Sequence, residues 1–395
     1  MSDKTKISWT DSTWNPIRGC SRVSEGCRNC YAESVAARFS GPGMPYEGLA
    51  RRTSTGEPRW TGDVRLVEKA LEQPLRWKRP RKIFVSSMSD LFHERLNNDD
   101  IDRVFAVMML APHHTFQVLT KRPHRMRAYM RAPNLYQRIL DAAREFRDRR
   151  SPLDSVPISN PSLFPARHVW LGVSVENQAT ADERIPPLLD TPAAVRFLSC
   201  EPILGPVDLS PWLKRISHCH DCGAEHPPLE EDRCPWCQRE GVLIDTWGEE
   251  QAERFRTRER YDNDGPSHSD DGPQIHLVIG GGESGPKARP PHPDWFRSLS
   301  DTCVQAGVAF LMKQWGEWGD FTSTSPADMP PSDTLEHRVM LPSGELIGGG
   351  RGKHGMVDEH WRERGAAWMV RVGKKRAGRL LDGVEHHAFP CEVPR

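Results

Sequence analysis

From Lys82 onward the chain alternates short, continuous apolar runs with longer segments of helical periodicity. The runs are Lys82–Ser86, Phe116–Thr120, Val169–Val175, Val195–Cys200, Ile275–Gly280 and Val308–Lys313. Apolar runs of this length suit strands covered on both faces, as in a parallel sheet. Helical patterns occupy Arg103–Leu110, Asn134–Arg149, Thr180–Leu189 and Trp295–Ala306 between them. Strand–helix alternation predicts an α/β protein, either a barrel or a doubly wound sheet.

Each run stops abruptly at polar residues: Ser86-Ser87-Met88-Ser89-Asp90, Thr120-Lys121-Arg122, Ser174-Val175-Glu176, Ser199-Cys200-Glu201, Gly281-Gly282-Glu283 and Lys313-Gln314. Any strand must end somewhere polar. Six in succession ending among Lys, Asp, Glu or Cys point further, to a shared site, because the carboxyl ends of parallel strands line the active face of such folds.

Two segments interrupt the repeat: a Pro/Ser-rich loop at 151–168 and an insertion at 211–272 with a hydrophilic, acidic return. Beyond Trp318 the pattern changes, with a Gly-rich stretch Ile347–Gly355, a short helical pattern at Asp358–Gly365 and a basic stretch Arg371–Arg379. The expected organisation is a barrel from 1–210 and 273–320, an inserted unit at 211–272 and an appendage at 321–395.

Composition narrows the class. Mean hydropathy is −0.64, and no apolar run approaches the roughly 20 residues of a membrane span. The N-terminus lacks the apolar core of a secretion signal, so a cytoplasmic protein is expected. In a reducing compartment its 10 cysteines point to metal binding or catalysis rather than to disulfides. The 54 basic and 54 acidic side chains balance, but they are segregated: residues 51–82 carry +6, residues 121–150 +7 and residues 230–271 −7. A basic face of this kind suits a nucleic-acid partner, and a solvated helix face is the plainer alternative.

Seven cysteines fall into two sets. Cys219-x2-Cys222 and Cys234-x2-Cys237 have the spacing of two knuckles that clamp one structural Zn²⁺, which would fold an insert poor in apolar residues. A redox dithiol at Cys234 and Cys237 is the lesser alternative. Cys20-x6-Cys27-x2-Cys30 supplies three thiolates in one loop. Three thiolates can hold a four-iron, four-sulfur cluster and leave one iron open for chemistry; zinc with a distant fourth ligand, or free thiols, is the alternative.

This loop resembles a variant of the radical S-adenosylmethionine cluster motif, with six residues in its first spacing and Asn29 where that motif usually has an aromatic. More closely, WTDSTWNPIRGCSRVSEGCRNCYAE, SSMSDLFH, VLTKRP, WLGVSVEN, FLSCEPILGP and GGESGP resemble a phage- and bacterium-associated three-cysteine family of unknown function. That likeness covers about residues 7–318 and the terminal KRAGRLLDG. The chain is similar, more distantly, to spore photoproduct lyase.

The resemblance implies a partial (β/α)6 TIM-like barrel whose cluster loop follows a first strand near Thr13–Ile17. It also implies a [4Fe-4S] cluster on Cys20, Cys27 and Cys30, cleavage of S-adenosylmethionine to a 5′-deoxyadenosyl radical, and a flavodoxin- or ferredoxin-type electron donor. Ser87, Ser89 and Asp90 stand where the superfamily contacts the methionine amine. Ser174, Glu176, Glu201 and Glu283 stand where later strands contact the cofactor. Cys200, ending a strand, is the candidate hydrogen-atom donor, against the commoner fate of a buried core cysteine. Lys121, Arg122 and Lys313 are candidate contacts to substrate phosphate or cofactor carboxylate. Trp9, Trp14 and Trp315 offer stacking faces for a base, though core packing is their more frequent role.

The expected function is therefore radical chemistry that repairs or modifies nucleic acid. A peptide or small-molecule substrate for the same chemistry, or a non-catalytic zinc protein that binds nucleic acid, are the competing readings.

Overall fold

The structure, a computed structural model, describes residues 5, 7–147, 165–213, 215–219, 225–226, 243–247, 274–323, 335–351 and 360–390. Seven parallel strands carry the fold: β1 (Ser12–Trp14), β2 (Lys82–Val85), β3 (Thr115–Thr120), β4 (Val169–Ser174), β5 (Val195–Cys200), β6 (Leu277–Gly281) and β7 (Ala309–Gln314). They lie side by side in chain order, each parallel to the next. The first and last do not pair, so the sheet curls into an open half-barrel. The apolar runs locate six of these strands to within two residues. The sheet holds seven strands rather than six because β7 extends the core set at one edge.

Two apolar clusters separate the faces. On the outer face the helices α2 (Asn98–Met109), α4 (Leu135–Arg147), α5 (Gln178–Leu189) and α6 (Pro293–Ala306), with α3 (Pro123–Met130), bury residues such as Ile101, Phe105, Met126, Ile139, Ile185 and Phe296. These pack against Val85, Val118, Val173 and Leu198 of the strands. Side chains alternate along a strand, so the intervening residues face inward. That inner layer is Phe84, Leu119, Trp170, Phe197, Ile279 and Leu311, with Trp9 among them 4.7 Å from Phe84 and 6.1 Å from Phe197, centroid to centroid.

The helix starts follow their caps. Asn97 accepts from the Asp100 amide at 2.7 Å, and Asn177 forms a capping box with Thr180 at the start of α5. These side chains satisfy amides that the first helical turn leaves open.

The C-terminal part forms a four-stranded antiparallel sheet of Trp318–Asp320, Ala367–Arg371, Glu336–Met340 and Leu346–Arg351, in that spatial order. The helix expected at Asp358–Gly365 is replaced over residues 360–365 by successive turns, which Gly365 at φ 70° accommodates. The tail then returns to the barrel: Met312 N donates to His386 O and Ala388 N to Phe310 O, and Phe389 joins the inner layer beneath the Lys82 ammonium. Within the insertion, Glu225–His226, Arg215–Cys219 and Leu243–Trp247 form a three-stranded antiparallel sheet in that spatial order. Cys219 ends its central strand, while Cys222, Cys234 and Cys237 lie outside the described residues, as does the loop at 151–164.

Candidate functional site

The three-cysteine loop sits over the carboxyl ends of the strands. It leaves β1 through Gly19, which bridges to Ser89 beyond β2, makes one 3-10 turn at Glu25–Cys27, and feeds into helix α1 (Tyr31–Arg38) immediately after Cys30. All three thiols are free and partly buried. Burial, reinforced by Asp90 and partly offset by Arg122, pushes the Cys20 thiol up to about 12, and burial raises Cys30 as well. Neutral thiols packed beside one another are destabilised as thiolates unless a cationic centre joins them.

Four acidic residues help to hold the loop, three beyond the barrel strands and one on α1, and the three were read from the sequence as cofactor contacts. Asp90 accepts from Thr120 Oγ1 at 2.7 Å, Lys121 N at 3.1 Å, Phe92 N at 3.0 Å and Arg122 Nη1 at 2.9 Å. Arg122, whose side chain is 4% exposed, also bonds Glu94, and its Nη2 donates to Ser21 O and Oγ of the loop. Glu176 accepts from Ser24 Oγ at 3.0 Å, pairs with Arg184 at 3.0 Å, and is bonded by Lys121. Burial opposes its charge, but Lys121 and Arg184 outweigh burial and hold its carboxyl below the ordinary range. A Cβ on Gly26 would lie 2.5 Å from Glu176 Oε1, so only glycine lets the loop approach this closely.

Glu283 accepts from Asn29 Nδ2 at 3.0 Å and from Arg289 N, Nε and Nη2 at 2.8, 2.9 and 2.7 Å. Arg289 in turn donates to Glu25 O at 3.0 Å. The fourth acid, Glu33 of α1, pairs with Arg22 of the loop and accepts from Trp60 N at 2.8 Å.

These contacts move several assignments. Ser87 Oγ donates to Asn15 Oδ1 and Ser89 Oγ to Ile17 O, so both serines tie β2 to the chain after β1. Asp90 and Arg122 spend their polar atoms inside the protein. Cys200 is 0% exposed and packs in the outer, helix-facing cluster together with Cys303 of α6, away from the inner layer. Burial pushes its thiol up. Trp14 and Trp315 are also in the outer core, their indole N–H groups donating to Ala70 O and Leu380 O, while Trp9 lines the inner face.

What remains turned inward is a smaller set. Lys313 Nζ lies 3.0 Å from Glu201 Oε1 and 3.1 Å from Oε2, and Ser199 Oγ reaches Oε2 at 3.4 Å. A Cβ on Gly281 would meet Glu201 Oε1 at 2.2 Å, so the next strand makes room for this carboxylate. By strand alternation Ser174 shares this face. Ser86 adopts φ 61° at 3% exposure, and its hydroxyl lacks a hydrogen-bond partner. A non-glycine residue held in the left-handed region costs about 1–3 kcal/mol, and such strain gathers at functional sites. Tyr31 is 54% exposed overall, but its hydroxyl donates to Ser87 O at 2.6 Å, and desolvation there, reinforced by the charges of Cys30 and Glu201, pushes its phenol up. Cys30 of the loop and Glu201 both lie close enough to act on it. Ser21, Ser24, Asn29, Arg184 and Arg289 were missed, because nothing in their local pattern reports a partner up to some 260 residues away.

Among the described residues no group of three His, Cys, Asp or Glu could hold a single metal ion. Thiolates that ligate a four-iron cluster each bind a different iron and need no common ligation point. Three thiols on one loop, held by hydrogen bonds to its other residues, are the donor set that such a cluster would need. No helix among the described residues is long and apolar enough to cross a membrane.

Fold and site together define an α/β protein with an open parallel barrel that presents a three-cysteine loop at its carboxyl face. The chain belongs to the family described as protein of unknown function (DUF5131), whose model matches residues 4–390. No curated protein and no solved structure matches it.

Proposed function

We propose that this protein is a radical S-adenosylmethionine-type enzyme that repairs or modifies nucleic acid. In this reading Cys20, Cys27 and Cys30 hold a [4Fe-4S] cluster, and the inner face below receives S-adenosylmethionine and the reacting base. The observation that carries it is the position of three free thiols over the carboxyl ends of a parallel half-barrel, on a loop fixed by Arg122 beyond β3 and by the carboxylates of Glu176 and Glu283 beyond β4 and β6. When bound, such a cluster supplies one electron, delivered by a flavodoxin- or ferredoxin-type donor, for cleavage of the C5′–S bond to methionine and a 5′-deoxyadenosyl radical.

The chain's own residues do the positioning. Arg122, Glu176 and Glu283 set the loop through Ser21, Ser24 and Asn29, so the thiols are brought together by hydrogen bonds of the protein itself. Trp170, Phe197, Ile279 and Leu311 give the inner face an apolar floor that excludes water from a reactive species. Glu201 and Lys313 offer an acceptor and a donor side by side at the rim of that floor and take no part in holding the loop. The reading includes a structural Zn²⁺ on Cys219, Cys222, Cys234 and Cys237, and a cytoplasmic location.

Anaerobic purification followed by metal and sulfide analysis tests it. About four irons and one zinc per chain are expected, with 5′-deoxyadenosine released on adding S-adenosylmethionine and a reductant. Cys20→Ala should lose the iron and keep the zinc. Zinc without iron in the wild type overturns the proposal in favour of a zinc protein.

A further inference from the structure

Beside the cysteine loop, two small antiparallel pairs place arginine directly opposite arginine. Arg18 of Ile17–Arg18 is the partner of Arg65 in Arg65–Leu66, and Arg51 of Ala50–Arg52 is the partner of Arg59 in Pro58–Trp60. Like charges directly opposed across strands destabilise a sheet. Arg59 is relieved by Glu57 at 2.8 Å. Arg18 and Arg65 are not: both guanidinium groups donate to one neutral oxygen, Pro45 O, at 3.1 Å each, and Arg18 also lies over the Tyr46 ring. Among the described residues, no carboxylate pairs with Arg18, Arg38, Arg51, Arg52 or Arg65.

These arginines belong to one body. α1 packs its Ala36 and Ala37 against Tyr46, Leu49, Ala50 and Trp60, and Glu33 joins that body to the cysteine loop. Two rings stand open at the two ends of this helix, Tyr31, its first residue, at 54% and Phe39, just past its last, at 44% exposure. Unneutralised guanidinium groups such as those of Arg18 and Arg65, which converge without a carboxylate, match phosphate oxygens, and open ring faces near them match unpaired bases.

We infer that this rim is the docking surface for a single-stranded nucleic acid, whose phosphodiester backbone runs along Arg18, Arg65, Arg51 and Arg52 and leads a base past Tyr31 to the inner face. The inference deepens the nucleic-acid half of the proposed function and is independent of its iron chemistry. An acidic protein would satisfy the charges but leave the exposed rings without a role.

The test measures anisotropy of a labelled single strand of roughly 16 nucleotides on the full chain, metal-free and again after reconstitution with iron and sulfide, from 50 to 200 mM salt. Binding should be present in both forms and weaken steeply with salt. Arg51→Ala with Arg52→Ala, on an exposed hairpin, should lose at least tenfold in affinity and flatten the logarithmic salt slope by about 1.4, or 0.7 per lost contact. Arg18→Lys with Arg65→Lys should keep the slope and still weaken binding, because the charge remains and the fork is lost. Unchanged affinity and slope in the Arg51/Arg52 variant overturn the surface. Displacement of the strand by a polyglutamate peptide of equal charge at equal concentration overturns the nucleic acid in favour of an acidic protein. Iron loading and 5′-deoxyadenosine release, scored separately, show whether the chemistry stands when the docking surface does not.

Discussion

The two ends of the seven-stranded sheet are built with opposite chemistry. At the carboxyl end, charged residues are tied across the structure to a loop that follows β1. Glu176 meets Ser24, Arg122 meets Ser21, and Glu283 meets Asn29. At the amino end, rings and neutral groups close the barrel, with the Lys82 ammonium resting on the Phe389 ring. The tail lays Phe389 against the inner layer, and two histidines are held uncharged, His114 just before β3 and His276 just before β6. The difference teaches that stability and chemistry are separated along the strand axis. Disturbing the carboxyl end should break buried charge networks, and disturbing the amino end should loosen packing.

The largest effect expected from that comparison is at Glu176. Removing its carboxylate leaves Lys121 without its counter-charge and Arg184, 2% exposed, with only the more distant Glu183 at 3.9 Å. Breaking a buried pair from one side costs roughly 3–5 kcal/mol, so Glu176→Ala should lower the urea midpoint strongly. Phe389→Ala, at the opposite end and only partly buried, should cost about 1–2 kcal/mol from lost apolar area. Equal midpoints for the two variants would erase the contrast between the ends.

A second, smaller effect sharpens the amino end. Burial, with help from His113, lowers His114 to about 4, while its Nε2 bonds Pro74 O at 3.2 Å and its Nδ1 has no partner. Its folded value lies below its unfolded value of about 6.5. Between those two values the unfolded chain therefore binds more protons, and stability falls as pH drops from about 6.5 towards about 4, then levels off. The full contribution is about 3 kcal/mol at 1.36 kcal/mol per unit. Urea unfolding at several pH values should show a shallower fall for His114→Gln than for the wild type. Parallel curves would mean that His114 is not where protons are excluded.

The contrast also explains what could be read from sequence. Strands show in the apolar runs because both faces of the sheet are covered, and their polar ends show because each run stops abruptly. Partners do not show. Lys121 and Arg122 are adjacent in sequence and both end β3, yet one bonds Glu176 and the other Asp90 and Ser21, and only the fold decides which. Ser87, Ser89 and Asp90 have the composition of a ligand-binding turn, and their bonds to Asn15, Ile17 and Arg122 are partners that the sequence does not show. The face of a strand is equally hidden in a continuous apolar run, where the alternation that would separate Ser199 from Cys200 is masked by burial on both sides.

Cys200 gives the smallest expected effect and the sharpest check on that last point. In sequence it ends a strand on the active face, where a thiol could return a hydrogen atom. In the structure it points to the helices, beside Cys303, while its neighbours Ser199 and Glu201 turn to the inner face and Lys313. Cys200→Ala removes one buried sulfur and should cost about 1 kcal/mol, comparable to deleting a buried methylene. Iron content and 5′-deoxyadenosine release should be those of the wild type, whereas Glu201→Gln should alter release with little loss of iron. A Cys200→Ala protein that folds and loads iron normally, yet yields a different product from the same substrate, would move the hydrogen donor back onto β5. It would also require the outer face to open during turnover.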